Sequence, residues 1–236
     1  MPLAVSIGAV SLSPETPRIV AATGEDGHAA LATADGADVV EVRADLFEEP
    51  NPDILPALLA GLRGAGRPII LTVRSATEGG RPLDDAQRLA LYEAGLPHAD
   101  AIDVEIASES LVDRLLPAAR TAGRTAILSV HALDATPLPD GLRALVERAR
   151  KLGADVPKVA VYAATLEDLR RLLTVTLAER AAGIVTLAMG PMGPLSRIVL
   201  PAAGSLLTYG HVGTPTAPGQ LPVAELADLL RRLGLR

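Results

Sequence analysis

The chain has no cysteine and no tryptophan, and only one phenylalanine and three tyrosines in 236 residues. Without thiols it forms no disulfide, holds no metal through a thiolate and offers no cysteine nucleophile. So few rings leave little for bases to stack on, and a formal charge of -6 supplies no basic stripe. Both argue against nucleic acid as a partner. No apolar run reaches the roughly 18 residues that cross a bilayer. The opening Met1-Pro2-Leu3-Ala4-Val5-Ser6 has no basic region ahead of an apolar one. The expectation is a soluble cytoplasmic protein without a membrane partner. Histidine is scarce as well. His28, His98, His131 and His211 show neither HxH nor HExxH spacing, so no metal site is expected.

What the chain does contain is apolar. Hydrophobic residues make up 49% and charged ones 21%, the balance of a folded protein with a large core. No break in composition marks a boundary, so residues 1–236 read as one domain. Short β-rich runs recur at 18–22, 38–43, 68–74, 101–106, 125–131, 157–162, 183–189 and 205–209. Between them lie stretches of helical spacing, among them 84–96, 110–122, 139–152 and 166–180. Near-continuous apolar strands alternating with helices imply a parallel sheet covered by helices. Eight such units predict a closed (β/α)8 TIM barrel. A doubly wound open sheet is the alternative. However, the turn Thr23-Gly24-Glu25-Asp26-Gly27 lacks the GxGxxG spacing usual after its first strand. The apolar run 3–12 ahead of the first strand reads as a hairpin closing the barrel floor.

Within Pro157-Lys158-Val159-Ala160-Val161-Tyr162, Lys158 interrupts an apolar strand. An ammonium facing an apolar interior loses hydration, and its pKa falls from the free value of about 10.4. A neutral amine is the nucleophile that forms a Schiff base with a ketone or aldehyde. The plainer reading is a surface lysine at a strand entrance.

Other polar residues gather near strand ends, where a barrel builds its site. Glu41 with Arg43, and Asp103 with Glu105, lie two apart, so each pair shares one face of its strand. The first pair fits an internal ion pair or a ligand role; the second fits bonding to barrel interior groups. His131 ends an apolar run and suits a general acid and base, or a core histidine bonded to a neighbour. Gly79-Gly80, Gly190 and Gly193 mark either turns or a phosphate cradle. Arg63, Arg114, Arg143, Arg148, Arg170 and Arg171 fall on helical stretches and read as solvated faces.

Eight segments in this order resemble type I 3-dehydroquinate dehydratase, a Schiff-base enzyme. They begin with Asp38-Val39-Val40-Glu41-Val42-Arg43-Ala44-Asp45 and Thr72-Val73-Arg74-Ser75-Ala76-Thr77-Glu78-Gly79-Gly80. Asp103-Val104-Glu105, Ser129-Val130-His131 and Pro157-Lys158-Val159-Ala160-Val161 follow. The last are Met189-Gly190-Pro191-Met192-Gly193-Pro194-Leu195-Ser196-Arg197, Gly204-Ser205-Leu206-Leu207-Thr208-Tyr209-Gly210 and Ala217-Pro218-Gly219-Gln220. Each motif alone is weak, but together they cover about residues 16–233.

The resemblance implies a (β/α)8 barrel that dehydrates the carboxylate 3-dehydroquinate to 3-dehydroshikimate without metal or cofactor. Lys158 would form the imine, His131 would move the protons and Glu78 would orient the histidine. Arg197 and Gln220 would hold the carboxylate; Glu41, Arg43 and Arg74 would meet the ring hydroxyls or brace the groups that do. Arg43, Arg74, Lys158 and Arg197 would gather positive charge at one barrel mouth, drawing in an anion and depressing the Lys158 pKa further. Residues 211–220 would form a lid carrying Thr216 and Gln220. Family members are often dimers, so a homodimer is expected.

Three positions depart from the family pattern. Thr216 stands where serine is common, Ala132-Leu133 where a polar residue and an aromatic are usual, and Leu187 where methionine is frequent. None removes a catalytic group. Two rival readings are a Schiff-base aldolase with phosphate at the glycines and a non-catalytic ligand sensor on the same fold.

Overall fold

The computed structural model describes residues 4–25, 34–64 and 66–236; His28, Asp26, Gly27 and Leu3 lie outside the described residues. The chain enters through an antiparallel hairpin of β1 (Ser6–Ile7) and β2 (Val10–Ser11). Eight parallel strands follow: β3 (Arg18–Thr23), β4 (Val39–Arg43), β5 (Ile69–Thr72), β6 (Ala101–Glu105), β7 (Thr125–Ala132), β8 (Val156–Tyr162), β9 (Val185–Met189) and β10 (Leu207–His211). A two-residue strand, β11 (Leu221–Pro222), pairs beside β10.

The ladder runs β10-β3-β4-β5-β6-β7-β8-β9. Between β9 and β10 the Leu206 N–H donates to the Ile184 carbonyl at 2.9 Å, and the Thr186 N–H donates to Ser205 Oγ at 3.0 Å. The ring thereby closes into the expected (β/α)8 barrel. Helices α1 (Leu55–Arg63), α2 (Asp85–Gly95), α3 (Glu109–Thr121), α4 (Pro139–Leu152), α5 (Leu166–Glu179), α6 (Gly193–Ala202) and α7 (Val223–Arg232) follow β4 to β10 in turn.

The two-residue period of a strand sorts side chains into two layers. Outward residues such as Val40, Val42, Leu71, Val104 and Leu128 pack against helix residues Leu55, Leu59, Leu91 and Leu115. Inward residues at the strand starts, Val39, Ile70, Ala101, Ile127, Val156, Val185 and Leu207, form an apolar floor. Ile7 and Leu12 of the hairpin segment join that floor, as expected. One step higher on the same inward face the residues turn polar: Glu41, Thr72, Asp103, Ser129 and Lys158, all buried. The site therefore sits on an apolar plug, within the upper half of the ring.

Candidate active site

Lys158 is the third residue of β8 and opposes Ser129 of β7 and Val185 of β9. Its side chain points into the barrel with 4% of its surface exposed, so the surface reading is excluded. Its surroundings are not the apolar ones its own strand suggested. Nζ lies 2.6 Å from Asp103 Oδ2 and 3.6 Å from Glu41 Oε1, and 4.2 Å from the centroid of the Tyr209 ring. The strand neighbours Val159 and Val161 are apolar because they face the helices; the neighbours in space are the carboxylates of β4 and β6 and a tyrosine ring of β10.

Asp103 receives three donors. Oδ2 accepts from Lys158, while Oδ1 accepts from Arg74 Nη2 at 3.0 Å and Ser129 Oγ at 2.6 Å. Burial works to raise its pKa, but the Arg74 and Lys158 charges outweigh that and hold the carboxyl well below the usual range. Arg74 also reaches Glu105 Oε1 at 3.0 Å. Asp103 and Glu105 thus bond to barrel interior groups, as one sequence reading held. Glu41 accepts from Thr72 Oγ1 at 2.9 Å. Arg43 grips Asp45 through two bonds of 2.8 and 2.7 Å.

Glu78 and His131 meet where the turn after β5 approaches the end of β7. A 3₁₀ turn, Ala76–Glu78, lifts Glu78 towards His131. Gly80 closes this turn against the chain: a Cβ there would lie 2.0 Å from the Arg74 carbonyl, so close approach of backbone and not phosphate binding requires the glycine. Glu78 Oε2 accepts the His131 main-chain N–H at 2.8 Å and faces the ring Nδ1 at 2.9 Å. When Glu78 is ionised this oxygen can only accept, so Nδ1 carries the proton and Nε2 keeps its lone pair. Burial, reinforced by the Arg74 and Lys158 charges, lowers the His131 pKa well below its usual value. Burial likewise pushes the Glu78 carboxyl up to about 7, with Arg74 opposing.

Arg197 sits on α6 with its guanidinium buried. Nε donates to the Tyr209 carbonyl at 3.0 Å, and Nη1 donates to the Ala188 and Gly193 carbonyls at 2.9 and 2.8 Å. Unlike Arg43, Arg74 and Lys158, it has no carboxylate partner among the described residues. Burial lowers its pKa to about 10. The cationic field expected from four positive residues is therefore largely neutralised, leaving Arg197 as the cation open to an anion.

Glu41, Arg43, Arg74, Glu78, His131, Lys158, Arg197, Thr216 and Gln220 all line one cavity at the mouth of the barrel. The segment after β10 lies over it, with the Thr216 carbonyl 3.5 Å from Arg43 Nη1. Gln220 is turned towards its own segment: Oε1 accepts the Thr216 and Ala217 N–H groups, and Nε2 donates to Thr216 Oγ1 at 3.0 Å. Gly193 packs its backbone on Gly219, where a Cβ would meet Cα at 2.9 Å, so it seats this segment and does not cradle phosphate.

Sequence reasoning gave no role to four neighbours of the site. Arg88 and Tyr92 sit on α2, whose pattern reads as an ordinary amphipathic helix, yet both are buried against the barrel. Tyr92 donates to the Asp103 carbonyl at 2.5 Å. Asp45 hides behind Arg43, and the Tyr209 hydroxyl is buried without a hydrogen-bond partner. The helical arginines 63, 114, 143, 148 and 170 stand in solvent as read, whereas Arg171 is half-buried and donates to the Thr136 carbonyl at 3.2 Å. Among the described residues no three acidic or histidine side chains converge to hold a metal ion, and no helix is long and apolar enough to cross a membrane.

This arrangement has counterparts. The family model for type I 3-dehydroquinase matches residues 18–236. The 3-dehydroquinate dehydratase of Methanocella arvoryzae is 39% identical over 221 residues, covering 93% of this chain and 98% of its own. Among solved structures, the 3-dehydroquinate dehydratase of Geobacillus kaustophilus superposes with a TM-score of 0.87 at 28% identity, covering 98% of this chain and 99% of the other. The type I 3-dehydroquinate dehydratase of Clostridium difficile, crystallised with covalently modified comenic acid, gives a TM-score of 0.89 at 28% identity, with 99% and 98% covered. Matched along nearly its whole length in sequence and in fold, the chain belongs to the type I 3-dehydroquinase family.

Proposed function

We propose that this hydro-lyase converts 3-dehydroquinate to 3-dehydroshikimate through an imine on Lys158, with His131 moving the protons. The observation that carries the reading is a cavity holding a buried amine, an imidazole with its Nε2 lone pair free and one cation without a carboxylate. The substrate carboxylate pairs with Arg197, the geometry for which arginine is suited. Thr216 and Gln220 close the same end, and the Gln220 amide turns from its own segment to the acid.

Lys158 attacks the ketone as the free amine. The ammonium and ketone together become a cationic iminium and one water, so charge is conserved. Asp103 and Glu41, already beside Nζ, stabilise that cation without rearranging. The iminium draws electrons from the adjacent C–H bond, and His131 Nε2 takes its proton, leaving an enamine. The enamine expels the neighbouring hydroxyl, which leaves as water with the proton from the imidazolium. Water then hydrolyses the conjugated iminium, giving the enone and restoring the ammonium. A histidine whose pKa is lowered is neutral before the reaction and, once protonated, a strong acid for the departing hydroxyl.

Glu41, Arg43 and Arg74 stand where ring hydroxyls would meet them, with Arg74 also bracing Asp103. Soluble, cytoplasmic action as a homodimer, with the segment 211–220 acting as a lid, completes the proposal. Borohydride added during turnover should fix the mass of the reduced adduct on the peptide containing Lys158. The same mass gain in a Lys158→Ala protein would overturn the nucleophile.

A further inference from the structure

A line of alternating buried charge runs from the helix layer to the amine. Asp85 on α2 lies 3.0 Å from Arg88 Nη1, and Arg88 Nη2 meets Glu105 Oε2. Glu105 Oε1 lies 3.0 Å from Arg74 Nη1, Arg74 Nη2 lies 3.0 Å from Asp103 Oδ1, and Asp103 Oδ2 lies 2.6 Å from Lys158 Nζ. From Arg88 inward, every member is buried.

Each link is held from the side. Arg88 Nε donates to the Val73 carbonyl at 3.0 Å and Nη1 to Ser108 Oγ at 2.9 Å. Glu105 Oε1 accepts the Ser75 N–H at 2.8 Å. An aspartate N-cap starts α2 four residues before Arg88: Asp84 accepts from the Gln87 N–H in a capping box, which fixes the turn that aims the guanidinium inward. Burying a guanidinium forfeits its hydration, and a residue needed only for packing would be apolar. Neither Arg88 nor Glu105 lines the cavity.

We propose that Arg88 and Glu105 are positioning residues that govern the protonation of Lys158 from outside the cavity, by dividing Arg74 between Glu105 and Asp103. The inference rests on reading Lys158 as the nucleophile. With Arg88 uncharged, Glu105 relies on Arg74 alone. Asp103 is then less compensated and holds the ammonium more firmly, so the free amine forms only at higher pH. With Glu105 uncharged, Arg74 serves Asp103 alone and the amine forms at lower pH. The other groups facing Lys158 are Glu41 of β4, His131 of β7 and Tyr209 of β10, with Arg43, Glu78 and Arg197 across the cavity. All of these stay unchanged in the test.

The experiment follows carbamylation of Lys158 by cyanate against pH, read from the mass of its peptide, in the full chain. Cyanate reports the free amine whether or not the protein turns over substrate. Arg88→Met should move the midpoint up, and Glu105→Gln should move it down, each on the order of one pH unit. Arg88→Lys should restore the midpoint, and the acid limb of kcat/KM should follow the same order. A merely structural role would disturb both variants alike. Unmoved midpoints, or shifts of the same sign, overturn the proposal. Should a single variant misfold around its lone charge, Arg88→Met with Glu105→Gln removes both, and its midpoint should return to the wild-type value; a shift as large as one pH unit there overturns the proposal too. Failure to trap substrate on wild-type Lys158 would instead sink the nucleophile assignment and leave these midpoints standing.

Discussion

Glu78 holds His131 at two points, accepting the main-chain N–H and the ring Nδ1–H on one oxygen. The double grip settles both the tautomer and the direction of Nε2. His131→Ala should leave the imine able to form, since that step needs Lys158 and the ketone. Elimination should fall by about 10²–10⁴, the usual worth of a placed acid–base group. Glu78→Ala should cost less than this, because the imidazole remains but turns freely. Single-turnover kinetics with borohydride trapping separates the two steps, and near-normal elimination in the His131 variant would refute its role.

The same pair carries opposite dependences on pH. The Glu78 pKa is raised from 4.5 to about 7 in the folded protein. Between those values the folded chain keeps a proton that the unfolded chain releases, so this residue's contribution to stability falls as pH rises. His131 is lowered, so its contribution is present above about 6.5 and is lost as pH falls. In Glu78→Gln the first slope disappears. The variant should gain on the wild type by on the order of 3 kcal/mol from below pH 4.5 to above 7. Denaturant titrations at several pH values test this, and parallel curves for the two proteins would contradict it.

Arg197→Met should raise KM for the acid substrate and lower kcat/KM by roughly 10–100-fold, from loss of a charge-assisted bond worth about 1.5–3 kcal/mol. Arg197→Lys should rescue poorly, since three donors to three carbonyls cannot come from one ammonium that also meets a carboxylate. Steady-state kinetics with competitive inhibition by a simple carboxylic acid provides the check. Equal inhibition of wild type and variant would rule out the anion role.

Ile7 is fully buried in the floor, one layer below the polar residues. Ile7→Ala should cost about 2–5 kcal/mol of stability by opening a cavity there. The kcat of the folded fraction should change little, because Val39, Val156 and Val185 still separate the hole from Lys158. Thermal unfolding beside kcat at low temperature would show it; a collapse of kcat without loss of stability would mean the floor belongs to the site.

How much of this could be read beforehand depended on whether an interaction is local in the chain. The eight strands were legible because apolar runs and their spacing are local, and the hairpin because Ile7 and Leu12 stand in an apolar run ahead of β3. Lys158, His131, Glu41 and Arg74 stood out as polar residues inside such runs. Which of the polar residues would meet was not legible, since Asp103 and Lys158 are 55 residues apart and come together only when the ring closes. For the same reason Lys158 read as facing an apolar interior and turned out to face two carboxylates. Arg88 was invisible because one arginine in a helix looks like any other; only packing against β5 and β6 buries it. The orientation of Gln220 could not be read either, being set by hydrogen bonds inside its own segment.

The seam of the barrel lies between β9 and β10, where one main-chain bond replaces the ladders found elsewhere. Arg197 stitches that seam near the mouth, taking the Ala188 carbonyl from one side and the Tyr209 carbonyl from the other. The residue proposed to receive an acid is thus also a clasp on the joint of the ring that lacks a strand ladder. On that reading, a substitution that retunes its grip on the ligand also loosens the vessel.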